Sequence, residues 1–445
     1  MSAFIVEGKR RLSGEIAVAG NKNEVLPLIA ASFLFKKPVT FTNVPDIGDV
    51  GIMLDIARHL GARVSPIQNG AVTLDAATVA TSELPFDLSS EIRASLLFAS
   101  SLLVRTGRAV IVQPGGDAIG RRRLDTHFQV LSDLGAALTV ERVPLENDEA
   151  GTRFILDAPK GLTGTELYLD EASVTATENA VIAAAGARGA TVIVNAACEP
   201  HVQGLCRFLQ KAGVGIEGLG SNIITVHGAV DLSPCPHGVG GDYIEAASFI
   251  GLAAATRSAL TITGVDPAIM RMILHQFARI GVKTEQNRDP HRIHVPADQP
   301  LSVKTDLGGA IPKIEDAPWP GFPADLTSII LVTATQSRGT CLVHEKMFEA
   351  RLFFVDKLLT MGAQIVLCDP HRAVVVGPSP LHASRMSSPD IRAGMALLIA
   401  ALAAEGTSVI QNIEQIDRGY QQIDERLSRL GANIRRTGDR RNGGR

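Results

Sequence analysis

Six times along the 445-residue chain an apolar, helix-like run ends in a glycine followed by Ala or Val. The runs are IARHLGARV, LSDLGAALTV, FLQKAGVGI, FARIGVKT, LLTMGAQIV and LSRLGANI. Their glycines, Gly61, Gly135, Gly213, Gly281, Gly362 and Gly431, stand 74, 78, 68, 81 and 69 residues apart. Near-regular spacing of this kind means one supersecondary plan used repeatedly. Ahead of the markers come an Ala-rich helical run, a basic or Gly turn and a β-branched strand, as in AVIAAAGARGATVIVNAA and LLIAALAAEGTSVIQNI. After them come two short strands joined by a polar turn, as in AQIVLCDPHRAVVVG. Glycine after a helix supplies a left-handed C-cap, and Val/Ile/Thr alternation marks a strand. Each unit therefore reads helix, strand, helix, strand, strand. A solenoid is the competing architecture, but its units run to only about 20–47 residues.

Six α/β units predict two domains of three units each, matching the usual domain size of ~100–200 residues. The Pro- and Gly-rich stretch SPCPHGVGGDY, Ser233 to Tyr243, falls between the third and fourth units and marks the break. A cleft between two such domains is the natural ligand site. Net charge is −3, and the only basic concentrations are Arg121–Arg123 and the tail RRTGDRRNGGR, so no nucleic-acid partner is predicted. The N-terminus MSAFIVEGKRRLSGEIAV lacks a signal peptide's apolar centre and AGMALLIAALAAEG is short for a bilayer. A cytoplasmic protein with no membrane partner is expected. The cysteines, Cys198, Cys206, Cys235, Cys341 and Cys368, are scattered with no CxxC pair, which argues against disulfides and zinc. Buried free thiols are expected instead. The tail Arg435 to Arg445 reads as a solvated end.

The loops between first strand and second helix should match in all six units if the repeat were purely structural, and they do not. Unit two carries QPGGDAIGRRRLDTH, Gln113 to His127. Gly115, Gly116 and Gly120 allow Asp117 to sit at the tip of a mobile flap. Arg121, Arg122 and Arg123 cannot all face one way, so one functional arginine is expected beside solvated neighbours; a merely solvated charged turn is the alternative. In AGNKNEVLP, Lys22 and Asn23 enter an apolar helix, where ammonium and helix N-terminus both favour a phosphate. The Walker A pattern is absent. WPGFPADLTSIILV sets Asp325 just before a helix, as a plain N-cap would. SPDIRAGMALLIA repeats the design with Asp390 and Arg392, and IRASLLF places Arg93 at the corresponding point of unit two. Charged residues at four helix entries point to one shared anionic ligand.

Taken in order, GNKNEVLP, IRAS, PGGDAIGRR, SVTATEN, PGFPAD, FEARLF, DIRAG and AEGTSV with IDRGYQQID and LGANI resemble the UDP-N-acetylglucosamine enolpyruvyl transferases over essentially the full length. The related 3-phosphoshikimate enolpyruvyl transferases share the six-unit plan, but their GDKSxSxR-like entry is replaced here by GNKNEVLP. The resemblance implies two inside-out α/β barrels, each of three repeats about a pseudo-threefold axis. Residues 1–21 with 241–445 would form one domain, and 22–240 the other, which carries the Asp117 flap. The implied reaction moves the enolpyruvyl group of phosphoenolpyruvate to the 3′-hydroxyl of UDP-N-acetylglucosamine by addition and then elimination, releasing phosphate. By resemblance Asp117 donates the proton, Asp325 is the base, and Asp390 relays a proton. Lys22, Asn23, Arg93, Arg122, Arg392 and Arg418 hold phosphoenolpyruvate or its intermediate, with Lys22 also catalytic. Asn23, Arg93, Arg122, Arg123, Leu124, Asp125, Thr126, Ser173, Val174, Thr175, Asp325 and Met347 contact the sugar nucleotide. The partners are these two small molecules. No cofactor is implied, and no metal-ligand set stands out.

The chain also departs from the family pattern. Asp117 stands where most members carry the cysteine that fosfomycin alkylates, so intrinsic resistance is expected. Thr175 replaces a usual glycine, Ala324 a threonine and Ala350 an asparagine, all on the sugar-nucleotide side. Transfer to another uridine nucleotide such as UMP, or a non-catalytic paralogue that only binds UDP-N-acetylglucosamine, are the competing readings.

Overall fold

The structure, a computed structural model, describes residues 2–117, 119–144, 150–229, 231–286 and 289–438. Its Ala-rich helices are buried on nearly every side: all residues of Tyr243–Ala255 and Ile391–Ala403 are buried, and nearly all of Lys22–Ala31. A helix that is apolar all round belongs at the centre of a domain. Around these helices stand, among the described residues, five four-stranded sheets and one three-stranded sheet. Helices inside and sheets outside make the inside-out α/β barrel anticipated from the motifs. The predicted order within a unit is met, for example, by Val174–Ala185, Ala190–Val194, Pro200–Lys211, Gly215–Glu217 and Ile223–His227. All six marker glycines have φ between 88° and 108°, a conformation that L side chains resist. At Gly135, Gly213 and Gly431 a Cβ would meet nothing within 4 Å, so the backbone conformation alone selects glycine there.

Among the described residues the buried apolar side chains form two clusters. One runs from Val25 to Val239; the other joins Phe4–Val18 to Tyr243–Ile434. In the latter, the helices Tyr243–Ala255, Thr327–Ala334 and Ile391–Ala403 pack against one another, and in the former Phe98–Thr106 lies against both Lys22–Ala31 and Val174–Ala185. The chain passes between the clusters twice, side by side. Asn21 N–H donates to Gly240 at 2.7 Å and Asp242 N–H to Ala19 at 2.9 Å. Two buried glutamates pin this crossing with near symmetry. Glu24 accepts from Gly240 N–H at 3.1 Å and from His237 at 2.9 Å; Glu245 accepts from Ala19 N–H at 2.7 Å and from Arg426 at 2.5 Å. Each glutamate is the third residue of a helix whose entry faces the space between the clusters.

The sixth unit is completed from the other end of the chain. Ala3–Glu7 lies between Thr407–Gln411 and Asn433–Thr437, antiparallel to both. Its Phe4 is fully buried beneath the guanidinium of Arg436, 4.8 Å from the ring centroid, and Arg436 is paired with Asp417 at 2.6 Å and Asp424 at 3.1 Å. The expected solvated tail is thereby corrected at its start: Arg435 and Arg436 belong to a paired strand, while 439–445 lie outside the described residues. The thiols are free, but only Cys206 and Cys341 are buried; Cys198 and Cys235 are half-buried and Cys368 is exposed on a peripheral strand. Among the described residues no helix is long and apolar enough to cross a membrane. Phe4→Ala is expected to cost about 3–5 kcal/mol of stability in a denaturant titration, since it empties a site closed on all sides; a loss below ~1 kcal/mol would contradict the placement of this strand.

Candidate active site

Between the two clusters lies a cleft of about 500 Å³, lined from both sides. Every one of the six central helices contributes its entry: Lys22, Arg93, Val174, Tyr243, Asp325 and Arg392 all line the space. The first N–H groups of a helix lack intrahelical acceptors and carry partial positive charge. Asn21, Ser173, Asp242 and Asp390 cap four entries with side-chain oxygens, whereas those at Arg93 and Ala324 begin as 3₁₀ turns without a side-chain cap. The cleft is therefore electropositive before any side-chain charge is counted.

Two ion-pair networks cross it. In the first, Asp49 accepts from Lys22 Nζ at 2.6 Å and from Arg418 Nε at 2.7 Å, and Arg418 Nη1 donates to Asp117 at 2.7 Å. Burial pushes Asp49 up, but Lys22 and Arg418 outweigh it and hold the carboxyl below its usual range. In the second, Asp325 accepts from Arg351 at 2.8 Å and from Arg392 Nε at 3.1 Å. Arg392 also lies over the ring of Tyr420, 5.5 Å from its centroid. Burial raises Asp325, yet Arg392, Arg351 and Lys22 together keep it ionised well below the ordinary carboxylate range. The Asp325 networks thus contribute stability in full above the unfolded-chain value and lose it as pH falls through that lower folded value. Asp325→Asn removes the carboxylate shared by two buried guanidiniums, leaving Arg351 only its longer pairing with Asp390 at 4.0 Å, and is expected to cost about 3 kcal/mol at neutral pH. Measured against wild type in denaturant titrations, that gap should close only below about pH 4; a gap that closes between pH 7 and 5 would contradict it.

The flap loop is folded against the opposite cluster. Ile119 accepts from Ala350 N–H at 3.1 Å. Gly116 and Gly120 have φ of 113° and 127°, and a Cβ on Gly115 would stand 1.6 Å from the carbonyl oxygen of Ser90. Arg93 donates to the carbonyls of Arg122 at 3.3 Å and Arg123 at 2.5 Å, so its guanidinium braces the flap from below. Burial and the neighbouring Arg122 lower its pKa to about 10. Of the three consecutive arginines, Arg122 is half-buried with Asp117, Asp325, Arg351 and Arg418 in its field, while Arg121 and Arg123 are exposed. Arg123 is tied to Asp125 at 3.1 Å.

On the far wall Ser173, Val174 and Thr175 line the cleft, with Met347 opposite. Asn179 Nδ2 donates to His127 Nδ1 at 2.8 Å, which leaves the proton on Nε2 to meet Thr175 Oγ1 at 3.2 Å. Burial, followed by Arg93 and Arg122, lowers His127 to about 3, so this imidazole stays neutral. Lys22, Asn23, Arg93, Asp117, Arg122, Arg123, Asp325, Arg392 and Arg418 are brought together with these residues. Leu124, Asp125, Thr126 and Asp390 are not on the lining: Asp125 faces solvent, Thr126 is fully buried, and Asp390 caps its own helix by accepting from Arg392 and Ala393 N–H at 2.8 and 2.9 Å. Sequence reasoning did not pick out Asp49, Arg351, Glu178, Glu199, His201, Tyr243 or Trp319, all of which line the cleft. Arg351 sits inside the FEARLF stretch already flagged, and Asp49 resembles any first-turn acid. Glu178 and Glu199 are pushed up by burial, and each has one carboxyl oxygen without a partner among the described residues.

The family model for EPSP synthase (3-phosphoshikimate 1-carboxyvinyltransferase) matches residues 6–427. The chain belongs to this family. Among curated relatives, the UDP-N-acetylglucosamine 1-carboxyvinyltransferase of Treponema denticola is 51% identical, with 98% of this chain and 99% of the relative covered. The protein of that name from Bradyrhizobium diazoefficiens is 49% identical over the same shares. Among solved structures, the enolpyruvyl transferase NikO from Streptomyces tendae superposes with a TM-score of 0.84 at 25% identity, covering 99% of both chains. An EPSP synthase from Acinetobacter baumannii, 18% identical with a TM-score of 0.73 over 98% of this chain and all of the other, shares the fold.

Proposed function

We propose that this enolpyruvyl transferase moves the enolpyruvyl group of phosphoenolpyruvate to the 3′-hydroxyl of UDP-N-acetylglucosamine and releases phosphate, the entry step to peptidoglycan precursors in the cytoplasm. The relatives' shared name at about half identity over the full chain supports the reaction. The observation that carries the residue roles is the pair of carboxylates, Asp117 and Asp325, facing one cleft, the first ion-paired with Arg418 and the second with Arg351 and Arg392. Addition across the vinyl bond requires a proton delivered to the methylene carbon and one removed from the hydroxyl. In this reading Asp117, on the flap, delivers the first; Asp325, held ionised by Arg351 and Arg392, accepts the second. Lys22, Arg122, Arg392 and Arg418 neutralise the phosphate and carboxylate. Elimination then returns a proton from the transient methyl group and expels phosphate, so the sum is phosphoenolpyruvate plus sugar nucleotide giving enolpyruvyl ether plus phosphate.

The sugar nucleotide lies along Asn23, Ser173, Val174, Thr175 and Met347 in this reading. Asp390 acts as a helix cap that keeps Arg392 in place, and Arg93 as the brace of the flap. The double crossing at residues 18–22 and 239–242 and the two apolar clusters support a division into 1–21 with 241–445, and 22–240.

Phosphate release is the test. UDP-N-acetylglucosamine should support turnover while UMP and buffer alone do not, and Asp117→Asn should lower kcat by at least about 100-fold, the usual range for loss of a general acid. Preference for UMP would contradict the acceptor, and binding of UDP-N-acetylglucosamine without phosphate release would make the chain a non-catalytic binder. A carboxylate is a poor nucleophile towards the fosfomycin epoxide. Intact-mass spectrometry after incubation is therefore expected to show no adduct, and an adduct on Asp117 would contradict that assignment.

A further inference from the structure

Arg418 offers one guanidinium to two carboxylates on unequal tethers. Its Nε is bonded to Asp49 at 2.7 Å, and its Nη1 to Asp117 at 2.7 Å and to Gln415 at 2.9 Å. Asp49 is only 2% exposed, sits in the first turn of the helix Gly48–His59 and is held by Lys22 as well. Asp117 stands on a glycine-rich loop and has Arg418 as its ion-pair partner among the described residues. The charges in whose field it stands are Arg418, Arg122, Arg351 and Asp390.

We propose that Arg418 is an exchange cation: the incoming phosphoenolpyruvate anion takes the place of Asp117 on Arg418 while Asp49 stays bound, and the displaced Asp117 takes up one proton from solvent. The proposal rests on the functional reading above and supplies the proton that reading needs at Asp117. A substrate carrying both a phosphate and a carboxylate neutralises Arg418 and Arg122 together. The displaced Asp117 then faces the substrate's negative charge and Asp390, and uptake of a proton relieves that like-charge repulsion. The balance is simple: one proton moves from water to the Asp117 carboxylate on binding, and that proton later goes to the methylene carbon. No oxidant, metal or other co-reactant enters.

Trp319, the single tryptophan of the chain, lines the cleft, so its fluorescence reads binding on the intact protein. Phosphoenolpyruvate is titrated at about pH 7.5, 8.0 and 8.5, above the last ionisation of its phosphate, into wild type and Asp117→Asn. The wild-type Kd is expected to rise about tenfold per pH unit, the slope for uptake of one proton, and the variant's Kd to stay flat. Calorimetry of wild type in two buffers of different ionisation enthalpy should report one proton taken up per site, independently of the variant. A flat wild-type Kd with no proton uptake overturns the exchange, as does an equal slope in both proteins, which would assign the proton elsewhere. If those failures accompany normal phosphate release, the functional reading stands. If neither binding nor phosphate release occurs, both fall together.

Discussion

Three of the six central helices carry a cation at their positive end: Lys22 and Arg93 at the first position and Arg392 at the second. Each such placement is unfavourable to a helix by about 0.3–1 kcal/mol, because the first-turn N–H groups already carry positive partial charge. With Arg122, Arg351 and Arg418 added, cationic side chains from both clusters converge on the cleft. The arrangement persists because the protein's own carboxylates are threaded through it. Asp49 binds Lys22 and Arg418, Asp325 binds Arg351 and Arg392, and Asp117 completes Arg418. A site built this way is a standing demand for an anionic ligand, answered in the free protein by internal acids.

The same constraint explains the inside-out architecture. Polar and charged residues at a helix entry need a shared opening, while the rest of each helix needs burial on all sides. Placing the helices at the centre of each domain and the sheets around them meets both requirements. The two domains then face each other entry to entry, and the paired chain crossing with Glu24 and Glu245 holds the entries opposed.

Much of this was legible in the chain. The marker glycines announced the repeat because each must adopt a positive φ, which few other residues tolerate. The helix entries stood out because lysine, arginine and aspartate are out of place before apolar runs. What escaped was non-local. Nothing in MSAFIVEG says that Ala3–Glu7 closes the sixth unit's sheet, since that pairing joins residues some four hundred positions apart. Asp49 looked like an ordinary first-turn acid, and only the fold brings Lys22 and Arg418 to it. Asp390 accepts from the N–H groups of its own helix, and Arg93 reaches the carbonyls of Arg122 and Arg123 some thirty residues on, contacts that spacing alone does not reveal.

In the proposed reading, two carboxylates in one cleft, Asp117 paired with Arg418 and Asp325 with Arg351 and Arg392, serve as acid and base. That division of labour is the centre of the account, and the product formed in heavy water tests it most directly. With phosphoenolpyruvate, UDP-N-acetylglucosamine and the intact protein in D₂O, addition followed by elimination should yield the enolpyruvyl sugar nucleotide with solvent deuterium in its methylene group, read by mass spectrometry. A conjugate free of deuterium, or no conjugate at all, would contradict it.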